Sequence, residues 1–130
     1  MPADTNGRRA FLKTVGGVAV AMAMPARPTP PAAPAEITAV TLIHGLPGRE
    51  LDLKQHLLSL ACPTRAEAGC IAYDLYESPE QAHEFMRYEV WASREALEAH
   101  KKTPHLRASF GKRQREGWTT QIMVFKRVPG

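Results

Sequence analysis

Cys-Ile-Ala-Tyr-Asp-Leu-Tyr-Glu (residues 70–77) and His-Glu-Phe-Met-Arg-Tyr-Glu-Val-Trp (residues 83–91) are the two runs of sequence that decide the fold. Both runs are rich in the apolar and aromatic residues that favour β-strands. Ser-Pro-Glu, which follows the first run at residues 78–80, is a turn signal. The two runs therefore predict an antiparallel β-hairpin.

The sequence before the hairpin predicts a strand and a helix. Ile37 to His44 is apolar and β-branched, as strands are. Arg49 to Ala66 carries leucines at helical spacing and predicts an amphipathic helix. Pro63 is expected to kink or shorten that helix, and Gly69 to end the segment.

The sequence after the hairpin predicts a helix in two pieces and a last strand. Ser93 can cap a helix over residues 94–102, and Thr103-Pro104 can start another that Gly117 ends. Residues 118–128 alternate weakly and predict a fourth strand. The resulting order, β-α-β-β-α-β, indicates an α+β fold of the ferredoxin-like split β-α-β type.

The predicted strands carry apolar residues on both faces, whereas a sheet with one face in water alternates apolar and polar residues. In the third strand, one face holds Phe85, Glu89 and Trp91, and the other holds Met86, Tyr88 and Val90. The predicted helices can cover one face of the sheet only. We expect a second copy of the chain to cover the other face, sheet against sheet, in a homodimer.

The N-terminal residues predict an export signal. Arg8-Arg9-Ala10-Phe11-Leu12-Lys13 matches a twin-arginine address, and an apolar run follows it. That run is shorter than the ~20 residues that span a bilayer, so no stable membrane anchor is expected. Ala33-Pro34-Ala35 offers small residues for cleavage. We predict a signal peptide over residues 1–35, a domain over residues 36–130, and a periplasmic or secreted protein delivered by the twin-arginine export machinery.

Charge and cysteine content narrow the function classes. The chain has 17 Lys and Arg against 13 Asp and Glu, a net charge of +4. Residues 1–35 hold four of the basic residues and one acid, so residues 36–130 have a net charge of +1. This balance argues against a nucleic-acid partner. Cys62 and Cys70 could form a disulfide in an oxidising compartment or act as buried apolar residues, and their spacing does not decide between these alternatives.

Four blocks of the sequence together resemble the antibiotic biosynthesis monooxygenase (ABM) domain family, including its quinol monooxygenase branch. The blocks are residues 67–78, 85–93, 96–100 and 103–106, which include Glu-Val-Trp-Ala-Ser and Thr-Pro-His-Leu. The resemblance implies a dimeric α+β barrel with a pocket between the sheet and the helices of each protomer. It also implies oxidation of a quinol-like or polyphenolic substrate by O₂ without a metal or flavin cofactor.

Three residues are candidates for catalysis in such a pocket. Glu89 could orient or deprotonate a substrate hydroxyl, or it could pair with a nearby Lys or Arg. His105 lies in the first turn of the last helix, whose positive end favours a neutral imidazole that accepts a phenolic proton. His100 shares a helical face with Leu97, so it projects into the pocket or is a buried, hydrogen-bonded histidine.

Aromatic side chains are the candidate substrate-binding residues, because aromatic rings pack well on aromatic ligands. These residues are Trp91, Tyr73, Phe85 and Phe110. Trp91 could instead belong to the core, and Tyr73 could donate a hydrogen bond to the substrate or merely pack.

Other functions are weighed against this one. A non-catalytic dimeric module that binds an aromatic molecule would need the same pocket. Haem-degrading relatives use an Asn on the first strand, which this sequence lacks. The histidines show neither His-x-His nor His-Glu-x-x-His spacing, so no metal site is expected. Lys112, Arg113 and Arg115 complement the dipole at the end of the last helix or, alternatively, admit an anionic substrate.

Overall fold

The computed structural model describes residues 35–130, which form four strands and four helices. The predicted signal peptide lies outside the described residues. The elements in chain order are β1 (Ile37–His44), α1 (Glu50–Ser59), α2 (Ala61–Arg65), β2 (Cys70–Glu77), β3 (Glu84–Trp91), α3 (Arg94–Lys101), α4 (Pro104–Glu116) and β4 (Thr119–Lys126).

The strands form one antiparallel sheet in the order β2-β3-β1-β4. The predicted hairpin is the β2–β3 pair, in which Tyr73 lies opposite Glu89. β1 is central, with Ala39 opposite Glu89 on one side and Val124 on the other. This arrangement confirms the ferredoxin-like α+β fold. Strand β4 is shorter at both ends than residues 118–128.

The helix expected over residues 49–66 is interrupted at Leu60, between α1 and α2. Pro63 accounts for the break, because a proline lacks an N–H and its ring clashes with the carbonyl four residues earlier. Gly69 then turns the chain into β2 with φ +83°, and a Cβ there would lie 2.7 Å from the Cβ of Ala96. The backbone at residues 67–69 is therefore held close to α3.

The helices that follow the hairpin begin and end as their caps predict. Ser93 Oγ accepts a hydrogen bond from Ala96 N and caps α3. Pro104 occupies the first turn of α4, and Gly117 ends that helix with φ +74°. Trp118 N then donates to Arg113 O, which satisfies a carbonyl at the C-terminus of α4.

The two faces of the sheet have different surroundings. The face toward the helices is buried along β1 and β3, with one apolar cluster around Phe85 and Trp118 and another around Trp91 and Leu97. The opposite face of the sheet is apolar but not covered by residues 35–130. Its side chains include Val40, Leu42, Tyr76, Met86, Tyr88, Val90, Met123 and Phe125.

Both cysteines are free, so this structure has no disulfide between Cys62 and Cys70. Cys62 is exposed, so it is not the buried apolar residue considered as the alternative, whereas Cys70 is half-buried. Burial raises the pKa of the Cys70 thiol, and the nearby Glu67 carboxylate acts in the same direction. Among residues 35–130, the helices are too short or too polar to cross a membrane.

Candidate functional site

A pocket of about 170 Å³ lies between the sheet and helices α3 and α4. Its apolar wall consists of Leu97, Leu106, Phe110 and Ile122. Its polar wall consists of Thr41, Arg87, Glu89, His100, Lys101, Arg113 and Thr120. A cavity in which polar groups converge beside an apolar wall is a candidate small-molecule site, and we call this cavity the α3–α4 pocket.

Glu89 is a fully buried carboxylate in the polar wall of this pocket. Its Oε2 accepts a hydrogen bond from Arg87 Nε at 2.9 Å, and its Oε1 accepts one from Trp91 Nε1 at 3.1 Å. Both oxygens are therefore already held by protein donors. Glu89 is thus a fixed negative charge in the pocket wall rather than a free carboxylate.

His100 presents one ring nitrogen to a carboxylate on each side. Its Nδ1 lies 2.8 Å from Glu67 Oε2, and its Nε2 lies 3.5 Å from Glu89 Oε1. An ionised carboxylate can only accept, so Nδ1 carries the proton of the Glu67 bond. Nε2 is buried and has no hydrogen-bond partner among the described residues. In the neutral ring, Nε2 is therefore a buried acceptor without a hydrogen bond to any part of residues 35–130.

Glu67 joins the two candidate histidines. The same oxygen, Oε2, lies 2.8 Å from His100 Nδ1 and 2.8 Å from His105 Nε2. Glu67 lies in the loop before β2, His100 near the end of α3 and His105 in the first turn of α4. A carboxylate and two imidazoles are also a donor set that a divalent transition metal accepts, so the cluster could hold a cation.

His105 does not line the α3–α4 pocket, and its ring centroid lies 6.1 Å from that of His100. Its Nε2 contacts Glu67 and lies 3.3 Å from the hydroxyl oxygens of Thr64 and Thr103. The bond to Glu67 needs a proton on Nε2. His105 is thereby placed to orient Glu67, and not as the free acceptor that its position at the helix start favours.

The aromatic candidates separate into different places. Phe110 lines the α3–α4 pocket. Trp91 is fully buried and does not line the pocket, but its ring packs against that of His100, with the centroids 4.7 Å apart. Phe85 packs in the cluster around Trp118 and borders a different, open groove near Glu50 and Glu77. The structure therefore brings together Glu89, His100, Trp91 and Phe110, and leaves Phe85 apart.

Tyr73 is buried beside His100 without lining the α3–α4 pocket. The two rings meet edge to face at 6.2 Å, and the Arg87 guanidinium lies 5.6 Å from the Tyr73 ring centroid. Burial raises the pKa of the Tyr73 hydroxyl, although the charge of Arg87 opposes the shift. Tyr73 is placed to pack against His100 and Arg87.

The sequence analysis did not identify Glu67, Arg87 or Thr41 as residues of the site. Arg87 could have been found from strand alternation, because residues 85, 87, 89 and 91 share one face. Arg113 was considered only within a basic cluster. Glu67 and His105 lie 38 positions apart, and no local spacing reveals their contact.

Comparison with known proteins agrees with this architecture. The family model described as "Antibiotic biosynthesis monooxygenase" matches residues 36–112. The Mycobacterium tuberculosis protein named "Putative monooxygenase Rv0793" is 42% identical over 59 residues, which cover 45% of this chain and 57% of that protein. "Uncharacterized protein sll1783" of Synechocystis is 38% identical over 58 residues, which cover 42% of this chain and 40% of that protein. The matches thus span about half the length of these two relatives.

A solved structure extends the likeness over the whole described fold. The crystal structure of PA3566 from Pseudomonas aeruginosa has a TM-score of 0.68 and 31% sequence identity, and the alignment covers 76% of this chain and 100% of that one. The family model covers more than half of the chain, including β1, β3, α3 and most of α4, but it ends before β4. The chain therefore belongs to the antibiotic biosynthesis monooxygenase family.

Proposed function

We propose that this protein is a monooxygenase that oxidises a quinol-like or polyphenolic substrate with O₂ in the α3–α4 pocket. The observation that carries the proposal is the unpartnered Nε2 of His100, which is buried in the polar wall of that pocket beside Glu89. The family match and the name of the mycobacterial relative support the reaction class.

The first step is removal of a phenolic proton by His100 Nε2. Glu67 holds the ring through Nδ1, which fixes the tautomer whose Nε2 accepts. When Nε2 takes the proton, the ring becomes positive, and Glu89 Oε1 at 3.5 Å stabilises that charge. Arg87 and Trp91 keep the carboxylate in place for this role.

The substrate itself supplies the electrons for the second step. A phenolate is electron-rich and reduces O₂ directly. One oxygen atom then bonds to a ring carbon, the ring loses two hydrogens and becomes a quinone, and the other oxygen atom leaves as water. This balance needs no external reductant, so we propose a reaction without metal or flavin. Leu97, Leu106 and Phe110 would exclude water from the reacting ring.

Oxygen uptake by the purified full-length protein tests the proposal. With a panel of hydroquinones, we expect uptake above buffer autoxidation, one labelled atom from O₂ in the product, and no release of H₂O₂. Heat-denatured protein is the control. Saturable binding without uptake across the panel would contradict the proposal and favour a non-catalytic binding module.

We also propose that the protein is a homodimer joined through the uncovered face of its sheet. Tyr76 and Phe125 on that face are each about half exposed, at 51% and 52%. They continue the half-buried apolar surface of β1 and β3. A surface this apolar is unusual for a monomer, and a second copy supplies a matching one.

Light scattering at micromolar concentration is expected to give twice the chain mass. Val40→Lys places a charge in the middle of the apolar face and is expected to give monomers, because a buried unpaired charge is costly. Leu51→Lys is the matched control, since Leu51 is 66% exposed on α1. A monomeric wild-type protein would refute the dimer, and an unchanged mass for Val40→Lys would refute an interface on this face of the sheet.

The proposed place of action is the periplasm or the outside of the cell. Arg8-Arg9 and the apolar run that follows support twin-arginine export, with residues 1–35 as the signal. This route carries folded proteins, which suits a domain whose site is assembled from β1, β3, α3, α4 and β4.

A further inference from the structure

Arg113 is a cation in the wall of the α3–α4 pocket for which residues 35–130 provide no ion-pair partner. The other cations of the pocket wall are paired: Arg87 with Glu89, and Lys101 with Glu98. The two neighbouring basic residues of α4 differ from Arg113. Lys112 lies 3.9 Å from Glu116, and Arg115 is exposed.

The Arg113 guanidinium is already oriented. It lies over the Phe110 ring, with its central carbon 4.6 Å from the ring centroid, and both residues line the pocket. Burial, together with the charge of Arg87, lowers the pKa of Arg113. An anionic ligand beside this guanidinium would act against both effects.

Two further polar atoms in the same wall lack partners. Thr41 Oγ1 and His100 Nε2 are buried without hydrogen bonds among the described residues, and both residues line the pocket. A buried polar group left unpaired is rare in native proteins, so a bound ligand is the natural source of the missing bonds. Within residues 35–130, the wall of the pocket thus contains an imidazole nitrogen and a hydroxyl without hydrogen bonds, and a guanidinium without an ion-pair partner.

The size of the pocket limits what can use these groups. Its volume of about 170 Å³ is close to that of an engineered cavity of about 150 Å³ that holds benzene. One aromatic ring with small substituents fits this space.

We propose that the substrate is a single-ring phenol or hydroquinone that carries a carboxylate, with the carboxylate bound by Arg113 and a ring hydroxyl bound by His100. The assignment of the ring hydroxyl to His100 rests on the proposed function. The assignment of the carboxylate rests only on Arg113. Guanidinium binds carboxylate through two parallel hydrogen bonds, which also fixes the orientation of the ring.

Calorimetric binding without O₂ tests the inference on the full-length protein. The probes are 2,5-dihydroxybenzoate and hydroquinone, which share the reactive ring and differ in the carboxylate. We expect the carboxylate to bind about ten- to a hundredfold more tightly, as a charge-assisted hydrogen bond does. Arg113→Gln should remove this difference, Arg113→Lys should restore part of it, and Arg115→Gln should leave it intact.

The outcomes separate this inference from the proposed function. Equal affinity for the two probes, no binding of the carboxylate, or an unchanged preference in Arg113→Gln would overturn the inference, even if hydroquinone supported oxygen uptake. A carboxylate preference that depends on Arg113 would support it, even if no oxygen were consumed.

Discussion

Replacing Glu89 with glutamine is expected to lower the free energy of unfolding by about 3–5 kcal/mol. The substitution keeps the shape of the side chain but removes the charge that compensates the buried Arg87. It also sets an amide N–H₂ against Arg87 Nε or Trp91 Nε1, both of which are donors. For a domain of this size, the melting temperature should fall by roughly 15–30 °C.

Chemical denaturation of Glu89→Gln measures this loss, and Glu77→Gln is the matched control. Glu77 pairs with Lys54 at 2.9 Å, but both side chains are exposed, and such pairs contribute about 1 kcal/mol at most. If Glu89→Gln does not fold, the double variant Arg87→Met, Glu89→Gln should, because it removes both charges and retains an acceptor for Trp91. If Glu89→Gln lowers the free energy of unfolding no more than the control does, the Arg87–Glu89 pair does not stabilise the fold as expected.

Replacing His100 with glutamine is expected to lower kcat by about 10²–10⁴-fold in the oxygen-uptake assay. Glutamine can still donate to Glu67, but it has no basic nitrogen to take the phenolic proton. The fall should appear mainly in kcat, since the ring of the substrate still fits between Leu97 and Phe110.

Variants of two other histidines serve as controls for this experiment. His83→Gln changes a residue that does not line the α3–α4 pocket and should retain full activity. His105→Leu removes a donor to Glu67 and should cause a smaller loss than His100→Gln, because it acts through another residue. Full activity of His100→Gln, with its fold intact by circular dichroism, would remove His100 from the mechanism.

The strands and their order could be predicted because each element carries its own signal. The signals for the hairpin and for the helix ends at Ser93, Pro104 and Gly117 each involve only a few neighbouring residues. The alternation of side chains along β3 is enough to place Glu89 and Trp91 on the same face. The division of the first helix depended on how far Pro63 disturbs its neighbours, which the sequence indicates only roughly.

The site was harder to predict, because its contacts join distant parts of the chain. Glu67 reaches His100 and His105 across 33 and 38 positions. Trp91 is an aromatic residue in a plausible place for stacking, but its indole N–H binds Glu89 and its ring meets His100. Which of two buried aromatic residues lines a pocket depends on the packing of helices, and residue type carries no information about that.

The central position of β1 has a consequence for how the chain reaches its folded state. β1 pairs with β4 over its whole length, from Ile37 opposite Lys126 to His44 opposite Thr119. The sheet therefore cannot be completed during synthesis until the last strand has emerged, and pairings this distant in sequence form slowly. Until then β1 has one unpaired edge, rich in β-branched residues, that can recruit other chains. A chaperone that shields β1 in the nascent chain would have its greatest effect before β4 has emerged from the ribosome.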